Sequence, residues 1–268
     1  MAILLNDLLR LDNLENCKVR FLTQLSPDVK PLDFFKNNDI DELFKWQFWN
    51  YSKQKSFKVG QTAIGLVRIE GDHWLLFDIS TITKDLNIYG GAGFEYEMQA
   101  QFKKYFGRVV VEYKNKSQNL VRLASSVLSE CEVSQILEVK FDDDEFPGYD
   151  RVNLSWKSLK RVINKSAWKT ALENQKGVYL ITDSSNGKMY VGAAYGKDMI
   201  RGRWSDYLIN GHGGNEDLKA LEFNHIQRHF TYSILDIYKS TTNDGVIRDR
   251  EKWWKDTLLS KTHGYNKN

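Results

Sequence analysis

The sequence predicts an α+β protein of two unlike domains, and three observations lead to this. Apolar runs typical of strands are separated by stretches with helical periodicity. An acidic run, DDDE, followed by FPG, marks a break near residue 150. The charge also changes there: residues 1–150 carry 18 Lys and Arg against 23 Asp and Glu, and residues 151–268 carry 20 against 12. We therefore expect domains over 1–150 and 151–268.

The composition is that of a folded protein. Of 268 residues, 41% are hydrophobic and 13% aromatic, and only three are proline. The first residues resemble neither a signal peptide nor a membrane anchor, and no later stretch is long and apolar enough to span a bilayer. Cys17 and Cys131 are far apart and lack metal-ligand spacing. These features predict a cytoplasmic protein that does not contact membranes, since free thiols fit a reducing compartment.

The first domain is expected to be mixed α and β. It opens with an apolar-periodic stretch and continues with strand-like runs and two helix-like segments. The strand-like runs are KVRFL, TAIGLVRI, HWLLFDI and RVVVEYKN, and the helix-like segments are IDELFKWQFWNYSKQ and FEYEMQAQFKKYF. No motif in this half indicates a chemistry, so we expect a domain for target recognition or regulation.

The second domain is expected to be a small three-stranded antiparallel sheet flanked by helices. An amphipathic stretch predicts a leading helix over 153–174. GVYLIT and KMYVGAA are joined by a turn that contains Asn186-Gly187, which is the strongest short-range signal of a β-hairpin. Alternating apolar residues in HFTYSILDIY predict the third strand, and a basic helix over VIRDREKWWKDTLL follows.

Several side chains of this half suit phosphodiester hydrolysis. That reaction needs a group that deprotonates water, a cation that offsets the growing charge, and a divalent metal. The net charge of +8 over 151–268 is also what a phosphate-binding surface requires. The candidate residues are Tyr179, Tyr190, Arg201, Arg203, Tyr207, His212 and Glu251. Because the candidates include no close pair of acids, chemistry with one metal is favoured.

Gly177-Val178-Tyr179 and Tyr190-Val191-Gly192 together resemble the paired signature of the GIY-YIG nuclease family, with the two tyrosines eleven residues apart. The order of the later residues strengthens the resemblance. In the family an arginine, a Tyr or His four residues later, a glutamate and an asparagine follow the second tripeptide. The corresponding residues here are Arg203, Tyr207, Glu251 and Asn266.

The resemblance implies a role for each of these residues. Tyr179 would be the base or would order the attacking water, and Tyr190 would orient the phosphate. Arg203 would hold the scissile phosphate, and Tyr207 would share its helix face one turn away. Glu251 would be the only protein ligand of Mg²⁺ or Mn²⁺. Asn266 would position the end of the chain and the site by hydrogen bonds.

Three points stay open within this resemblance. Some members carry a lysine directly after the second tripeptide, where this chain has Ala193. Arg201 competes with Arg203, and the four-residue step to Tyr207 favours Arg203. The loop GHGGN could bind phosphate through backbone N–H groups or be a simple turn. Further DNA contacts are expected from a set of three residues: Arg201, His212 and Lys188.

The sequence therefore predicts a metal-dependent DNA endonuclease of the restriction or phage-defence type. Its first domain would select the target, which could be modified DNA. A repair or homing nuclease is one alternative, and a catalytically weak DNA-binding module is another. Because one active site cuts one strand at a time, a homodimer on DNA is also expected.

Overall fold

The computed structural model describes residues 2–26, 29–216 and 218–267, and the chain divides into two compact units, Met1–Asp142 and Asp143–Asn268. This division lies eight residues before the boundary expected at residue 150. The acidic run from Asp143 onwards belongs to the second unit, where Asp144 accepts hydrogen bonds from Arg161 Nε at 2.7 Å and Lys165 Nζ at 2.9 Å. With the division there, the first unit carries 18 Lys and Arg against 19 Asp and Glu, so the charge contrast is smaller than expected.

The first unit is built on a mixed seven-stranded sheet of order β8-β1-β3-β4-β7-β9, with β6 beside β4. Its strands are β1 (Cys17–Leu22), β2 (Trp49–Asn50), β3 (Thr62–Arg68), β4 (His73–Asp85), β5 (Gly91–Ala92), β6 (Phe94–Met98), β7 (Val109–Glu112), β8 (Val121–Leu123) and β9 (Glu132–Ile136). Strands β2 and β5 form a separate pair. The helices are α1 (Leu5–Leu9), α2 (Pro31–Lys36) and α3 (Ile40–Gln47), with 3₁₀ turns at Leu14–Asn16, Ala100–Tyr105 and Ala124–Ser126.

Apolar side chains cover both faces of this sheet. One core contains Phe21 and Trp74, whose ring centroids are 4.9 Å apart. The other contains Phe44 of α3 and Phe77 of β4, whose centroids are 6.0 Å apart. The alternation of side chains along each strand therefore feeds two cores, which explains why these strands read as continuous apolar runs.

The helix expected over FEYEMQAQFKKYF is wrong. Residues Phe94–Met98 form β6, which pairs with the end of β4, and Ala100–Tyr105 form a 3₁₀ turn. The prediction rested partly on the four-residue step from Phe94 to Met98, but residues four apart share a face in a strand as well as in a helix. β4 is thirteen residues long, and pairing with β6 satisfies the backbone groups of its far end.

The second unit has a four-stranded antiparallel sheet of order β10-β13-β11-β12. Its strands are β10 (Asn153–Ser155), β11 (Gln175–Asp183), β12 (Met189–Ala194) and β13 (Phe230–Lys239). The helices are α4 (Trp156–Val162), α5 (Ser166–Glu173), α6 (Met199–Asn210), α7 (Phe223–His229), α8 (Asp244–Thr257) and α9 (Ser260–His263), with a 3₁₀ turn at Tyr149–Arg151. The expected hairpin and third strand are confirmed, but the sheet has four strands rather than three.

The fourth strand and two helices occupy the segment in which a single helix was expected. Strand β10 pairs with β13, and α4 begins only after Ser155, whose hydroxyl accepts the N–H of Ser158 at 3.2 Å. The helical run then breaks between α4 and α5, at Ile163-Asn164-Lys165. Helix propensity is low for a β-branched residue followed by Asn, which fits this break. The leading helix over 153–174 is therefore wrong as a continuous element.

The two faces of this sheet pack against different helices. Tyr179 and Ile181 of β11 point into a core that includes Trp204 of α6. Val178, on the opposite face, packs against Ile247 of α8. Since β12 is the edge strand of the sheet, side chains from both helices can approach its end. In the described part of the chain, no helix is long and apolar enough to cross a membrane.

Candidate active site

The two hairpin tyrosines lie on the α6 side of the sheet, and glycine makes room for one of them. Tyr179 on β11 is directly opposite Gly192 on β12. A Cβ atom at residue 192 would overlap the phenol of Tyr179. The ring can therefore lie across β12 at this position only because residue 192 is a glycine. The register shifts at a β-bulge between Val178 and Tyr179, and bulges of this kind re-aim side chains.

The hydroxyl of Tyr179 is the centre of a buried hydrogen-bond network. It lies 2.8 Å from the hydroxyl of Tyr207, and Arg203 Nε donates to it at 3.2 Å. Burial raises the pKa of Tyr179 well above its ordinary value, although Arg203 opposes this effect. Burial also raises the pKa of Tyr207. Both phenols are therefore protonated near neutral pH.

Arg203 is held in place on three sides. Besides its bond to Tyr179, it donates from NH1 to the carbonyl of Gly213 at 2.7 Å, and its guanidinium lies 5.1 Å from the centroid of the Tyr207 ring. Desolvation acts to lower its pKa, but interaction with Tyr179 and Tyr207 raises the pKa above the ordinary value. Arg203 and Tyr207 thus share a face of α6, in agreement with the four-residue step between them.

The loop GHGGN is a turn that supports Arg203. Asn210 Oδ1 accepts the backbone N–H groups of His212 at 3.1 Å and Gly213 at 2.7 Å. Gly211, Gly213 and Gly214 have positive φ angles, which explains why the turn is rich in glycine. The carbonyl of Gly213 then faces the Arg203 guanidinium. This geometry favours the turn over the phosphate-binding loop.

Tyr190 lies at the end of the same network, close to an acidic group. Its hydroxyl accepts a hydrogen bond from Asn215 Nδ2. Burial raises the pKa of Tyr190, and the negative charge of Glu251 adds to the effect while Arg203 opposes it. The Tyr190 phenol therefore interacts with the charges of both Arg203 and Glu251, and all three side chains line the same cavity.

Glu251 lies on α8, and contacts between α8 and β13 hold this helix against the sheet. Asp236 of β13 accepts hydrogen bonds from Arg250 Nε at 2.7 Å and from Trp254 Nε1. Residues 250 and 254 flank Glu251, so these bonds fix the helix rotation that presents its carboxylate. The Glu251 side chain is 18% exposed, and Lys255 Nζ lies 3.0 Å from its Oε1.

The four groups converge on one cavity of about 620 Å³ at the end of β12. Tyr179, Tyr190, Arg203 and Glu251 come from four different elements and all line it. Tyr207 is fully buried and is not among the lining residues, but its hydroxyl contacts that of Tyr179. Asn266 is not among them either.

Asn266 instead binds the edge of β12. Its Oδ1 accepts the N–H of Val191 at 2.8 Å, and its Nδ2 donates to the carbonyl of Val191 at 2.9 Å. The Tyr265 N–H also donates to the carbonyl of Met189 at 2.8 Å. A Cβ at Gly264 would overlap that same carbonyl, so glycine lets the chain approach the strand. These bonds hold the segment around Asn266 against β12, and its positioning role in the site stays a prediction.

The three further DNA-contact candidates do not line the cavity. Arg201 donates a hydrogen bond to Oδ1 of Asn164, in the link between α4 and α5, at 2.8 Å. Lys188 Nζ lies 5.6 Å from the centroid of the Tyr265 ring. His212 accepts the N–H of Gly214 through Nδ1 at 3.0 Å. Of the two competing arginines, the one at the cavity is Arg203.

Asp183 is a buried carboxylate that sequence reasoning missed. It accepts hydrogen bonds from Ser185, from Asn186 Nδ2 at 3.0 Å and from Tyr265 Oη at 2.5 Å, and it lies 2.7 Å from His225 Nε2. Desolvation acts to raise its pKa, but these hydrogen bonds lower the pKa well below the ordinary value. One side chain thereby ties the hairpin turn to α7 and to the end of the chain. The only sequence signal was its place at the start of the turn.

The cavity suits a hard divalent cation held by few protein ligands. Three carboxylates line the cavity, those of Asp198, Asp206 and Glu251. Within the described residues, no group of three or more His, Cys, Asp or Glu side chains is placed so that it could hold a metal ion. Mg²⁺ often binds through one or two carboxylates and keeps several waters. The donor set therefore fits Mg²⁺ or Mn²⁺ and does not fit zinc, which takes three or four protein ligands.

A comparison with known protein families agrees with the sequence resemblance for part of the chain. Residues 175–266 match the family model of the GIY-YIG catalytic domain. Among solved structures, a mutant of the catalytic domain of the intron endonuclease I-TevI is 28% identical, with 35% of this chain and 94% of that chain covered and a TM-score of 0.28. No curated protein matches the chain at a significant level.

Proposed function

We propose, from the premise that residues 175–266 form a GIY-YIG catalytic domain, that this endonuclease is a metal-dependent enzyme that hydrolyses phosphodiester bonds of DNA. The observation that carries the proposal is the convergence of four side chains on one cavity: Tyr179, Tyr190, Arg203 and Glu251. They provide two hydroxyls, a permanent cation and a carboxylate. The arginine supplies the cation and the glutamate the metal-binding carboxylate that phosphodiester hydrolysis requires, and the hydroxyls can order water and phosphate.

Arg203 holds the scissile phosphate in this mechanism. Its charge is permanent, and its bonds to Tyr179 and Gly213 fix the guanidinium before the substrate arrives. A preorganised cation stabilises the negative charge that grows on the phosphate oxygens as water attacks phosphorus. The same planar group can donate two hydrogen bonds to one phosphate.

Tyr179 orders the attacking water. Its raised pKa makes it a weak candidate for accepting a proton in the resting enzyme, and this favours the second of the two roles that the family resemblance leaves open. The contacts to Tyr207 and Arg203 fix the direction of its hydroxyl. Tyr190, held by Asn215, orients the phosphate from the other strand of the hairpin.

Glu251 holds Mg²⁺ or Mn²⁺ in this proposal. Bound there, the ion would polarise a phosphate oxygen and offset the charge of the leaving oxygen. Within the chain, the task of Glu251 is to keep a charged carboxylate at the cavity, and the contacts of Asp236 with Arg250 and Trp254 serve that task.

The first unit selects the target in a restriction or phage-defence enzyme. Support comes from its independent core and from the small size of the catalytic part, since phosphate contacts position a protein on DNA without reading sequence. Cutting should therefore differ between unmodified and modified phage DNA. Equal cutting of every DNA, with no preferred site, would argue against target selection by this unit.

Cleavage of supercoiled plasmid tests the catalytic proposal. The wild-type protein should nick plasmid with Mg²⁺ and not with EDTA, and Glu251→Gln should bind DNA but not cut it. Glu216→Gln is the matched control, because its side chain is 78% exposed and forms a surface ion pair with Lys219. Full cutting by Glu251→Gln would overturn the metal assignment.

A further inference from the structure

A basic cavity of about 270 Å³ lies in the first unit. Three of its lining side chains are cationic, namely Lys18, Lys55 and Arg122, and none of the described residues that line it is acidic. The first unit as a whole carries 18 Lys and Arg against 19 Asp and Glu. The concentration of positive charge at this place is therefore local and does not follow from the composition of the unit.

Two of these cations come from neighbouring strands at the edge of the sheet, where successive residues point to opposite faces. Lys18 of β1 is opposite Leu123 of β8, and Arg122 of β8 is opposite Val19, the next residue along β1. Lys18 Nζ donates to the carbonyl of Ser56 at 2.8 Å, so its ammonium group is fixed.

Electrostatics within the cavity agree with this geometry. Burial lowers the pKa of Lys18, and the positive charge of Lys58 lowers the pKa further. Lys58 thus adds a further cation beside the lining residues. Asp85 is the carboxylate that pairs with Lys55, at 2.6 Å, and it would compete with an incoming anion for that lysine.

Exposed aromatic side chains lie next to the same cations. Tyr51 lines the cavity and is 42% exposed, and Tyr89 is 46% exposed. Lys55 Nζ lies 5.5 Å from the centroid of the Tyr89 ring. Cations interleaved with exposed aromatic rings are typical of surfaces that follow a nucleic-acid backbone and stack on its bases. Gln54 and Asn119 add neutral hydrogen-bonding groups to the lining.

We propose that this basic cavity binds the phosphodiester backbone of DNA, and that the first unit holds the substrate through it. The inference rests on the proposed function, since the bound strand would belong to the DNA that the second unit cuts. Lys18, Lys55 and Arg122 contact phosphate oxygens, and Tyr51 lies beside the sugar and base.

Binding of a short fluorescent DNA duplex to the full chain, measured by anisotropy over a series of salt concentrations without divalent metal, tests the proposal. The variant is Lys55→Gln combined with Arg122→Gln. Loss of two phosphate contacts should reduce the slope of log K against log salt by about two and weaken binding at about 0.1 M salt by roughly tenfold or more.

Two further variants separate a specific site from a general charge effect. Lys103→Gln combined with Lys104→Gln removes the same charge from exposed residues of the same unit that do not line the cavity, and it should leave the slope almost unchanged. Asp85→Asn removes the competing carboxylate and should tighten binding. A variant that merely destabilised the unit would not tighten it.

The outcomes also distinguish this inference from the proposed function. An unchanged slope in the Lys55 and Arg122 variant, with plasmid cutting intact, would overturn the inference and leave the nuclease standing. Equal losses in both double variants would overturn it as well. If DNA binding depends on Lys55 and Arg122 but the wild-type protein never cuts DNA, the inference is supported and the catalytic proposal is overturned.

Discussion

The hydroxyl of Tyr179 joins Arg203 to Tyr207, and Tyr179→Phe removes this link while keeping the ring. We expect cleavage to fall by roughly 10²-fold or more, because the attacking water loses its orienting group. Single-turnover cleavage at saturating enzyme measures this loss. Tyr232→Phe is the matched control, since Tyr232 lies in the same core and its hydroxyl has no hydrogen-bond partner among the described residues. Equal losses in both variants would contradict a special role of Tyr179.

The competition between Arg201 and Arg203 has a direct experimental answer. Lysine keeps the charge but cannot bond to Tyr179, Gly213 and a phosphate at once. Arg203→Lys should therefore lower the cleavage rate by roughly 10²-fold, whereas Arg201→Lys should remain nearly as active as wild type. Comparison of the two variants in the same plasmid assay decides between them, and the reverse ranking would refute the assignment.

Asp183 makes the stability of the second unit depend on pH. Hydrogen bonds lower its folded-state pKa, so its stabilising contribution is fully present above the unfolded value of about 3.9 and is lost as pH falls towards the folded value. Asp183→Asn should lower the free energy of unfolding at neutral pH by about 1–3 kcal/mol and weaken the pH dependence below about 4. Denaturant unfolding at several pH values checks this, and parallel pH profiles would contradict it.

At the scale of elements, the hairpin was predictable because its signals are local. Asn186-Gly187 specifies the turn, and Gly187 indeed has a φ of +75°. The third strand and α8 were also predictable from periodicity. In contrast, β10 is only three residues long and is defined by its pairing with β13, so nothing within those three residues marks it as a strand.

The candidate site was predictable in its residues but not in its supports. The family motif indicated Tyr179, Arg203 and Glu251. It did not indicate Asp183 or Asp236. Their partners include Tyr265, which is 82 residues from Asp183, and Arg250, which is 14 residues from Asp236, and these become neighbours only in the folded unit. Periodicity reports which face of an element is apolar, and it carries no information about such pairings.

Gly192 in β12 allows a prediction about an element. Ala in its place would push the Tyr179 phenol out of its position, so Gly192→Ala should lower both stability and cleavage. Gly196→Ala is the control, since a Cβ there would meet no atom within 4 Å. Thermal melting and plasmid cutting measure the two effects. Wild-type behaviour of Gly192→Ala would show that the ring does not cross the strand as described.

At the scale of the whole molecule, the described part of each chain contains one cavity with the complete set of Tyr179, Tyr190, Arg203 and Glu251. One such site cuts one strand at a time. Nicked circles should therefore appear before linear plasmid, and the rate of linearisation should rise more than proportionally with enzyme concentration if two copies meet on DNA. A gel time course at several concentrations measures both. Linear product without a nicked intermediate would contradict the one-site expectation.

The contacts of Asp183 and Asn266 have a consequence for how activity arises during folding. Asn266 bonds to a residue 75 positions earlier, and Tyr265 to one 82 positions earlier. We expect such contacts to form late in folding, because the entropy of the intervening chain must be lost before they are gained. The segment of Tyr265 and Asn266 would therefore bond to the free edge of β12 only when almost the whole unit has folded. A partly folded chain would have the tyrosines without a fixed site, and we expect such a chain not to cut DNA.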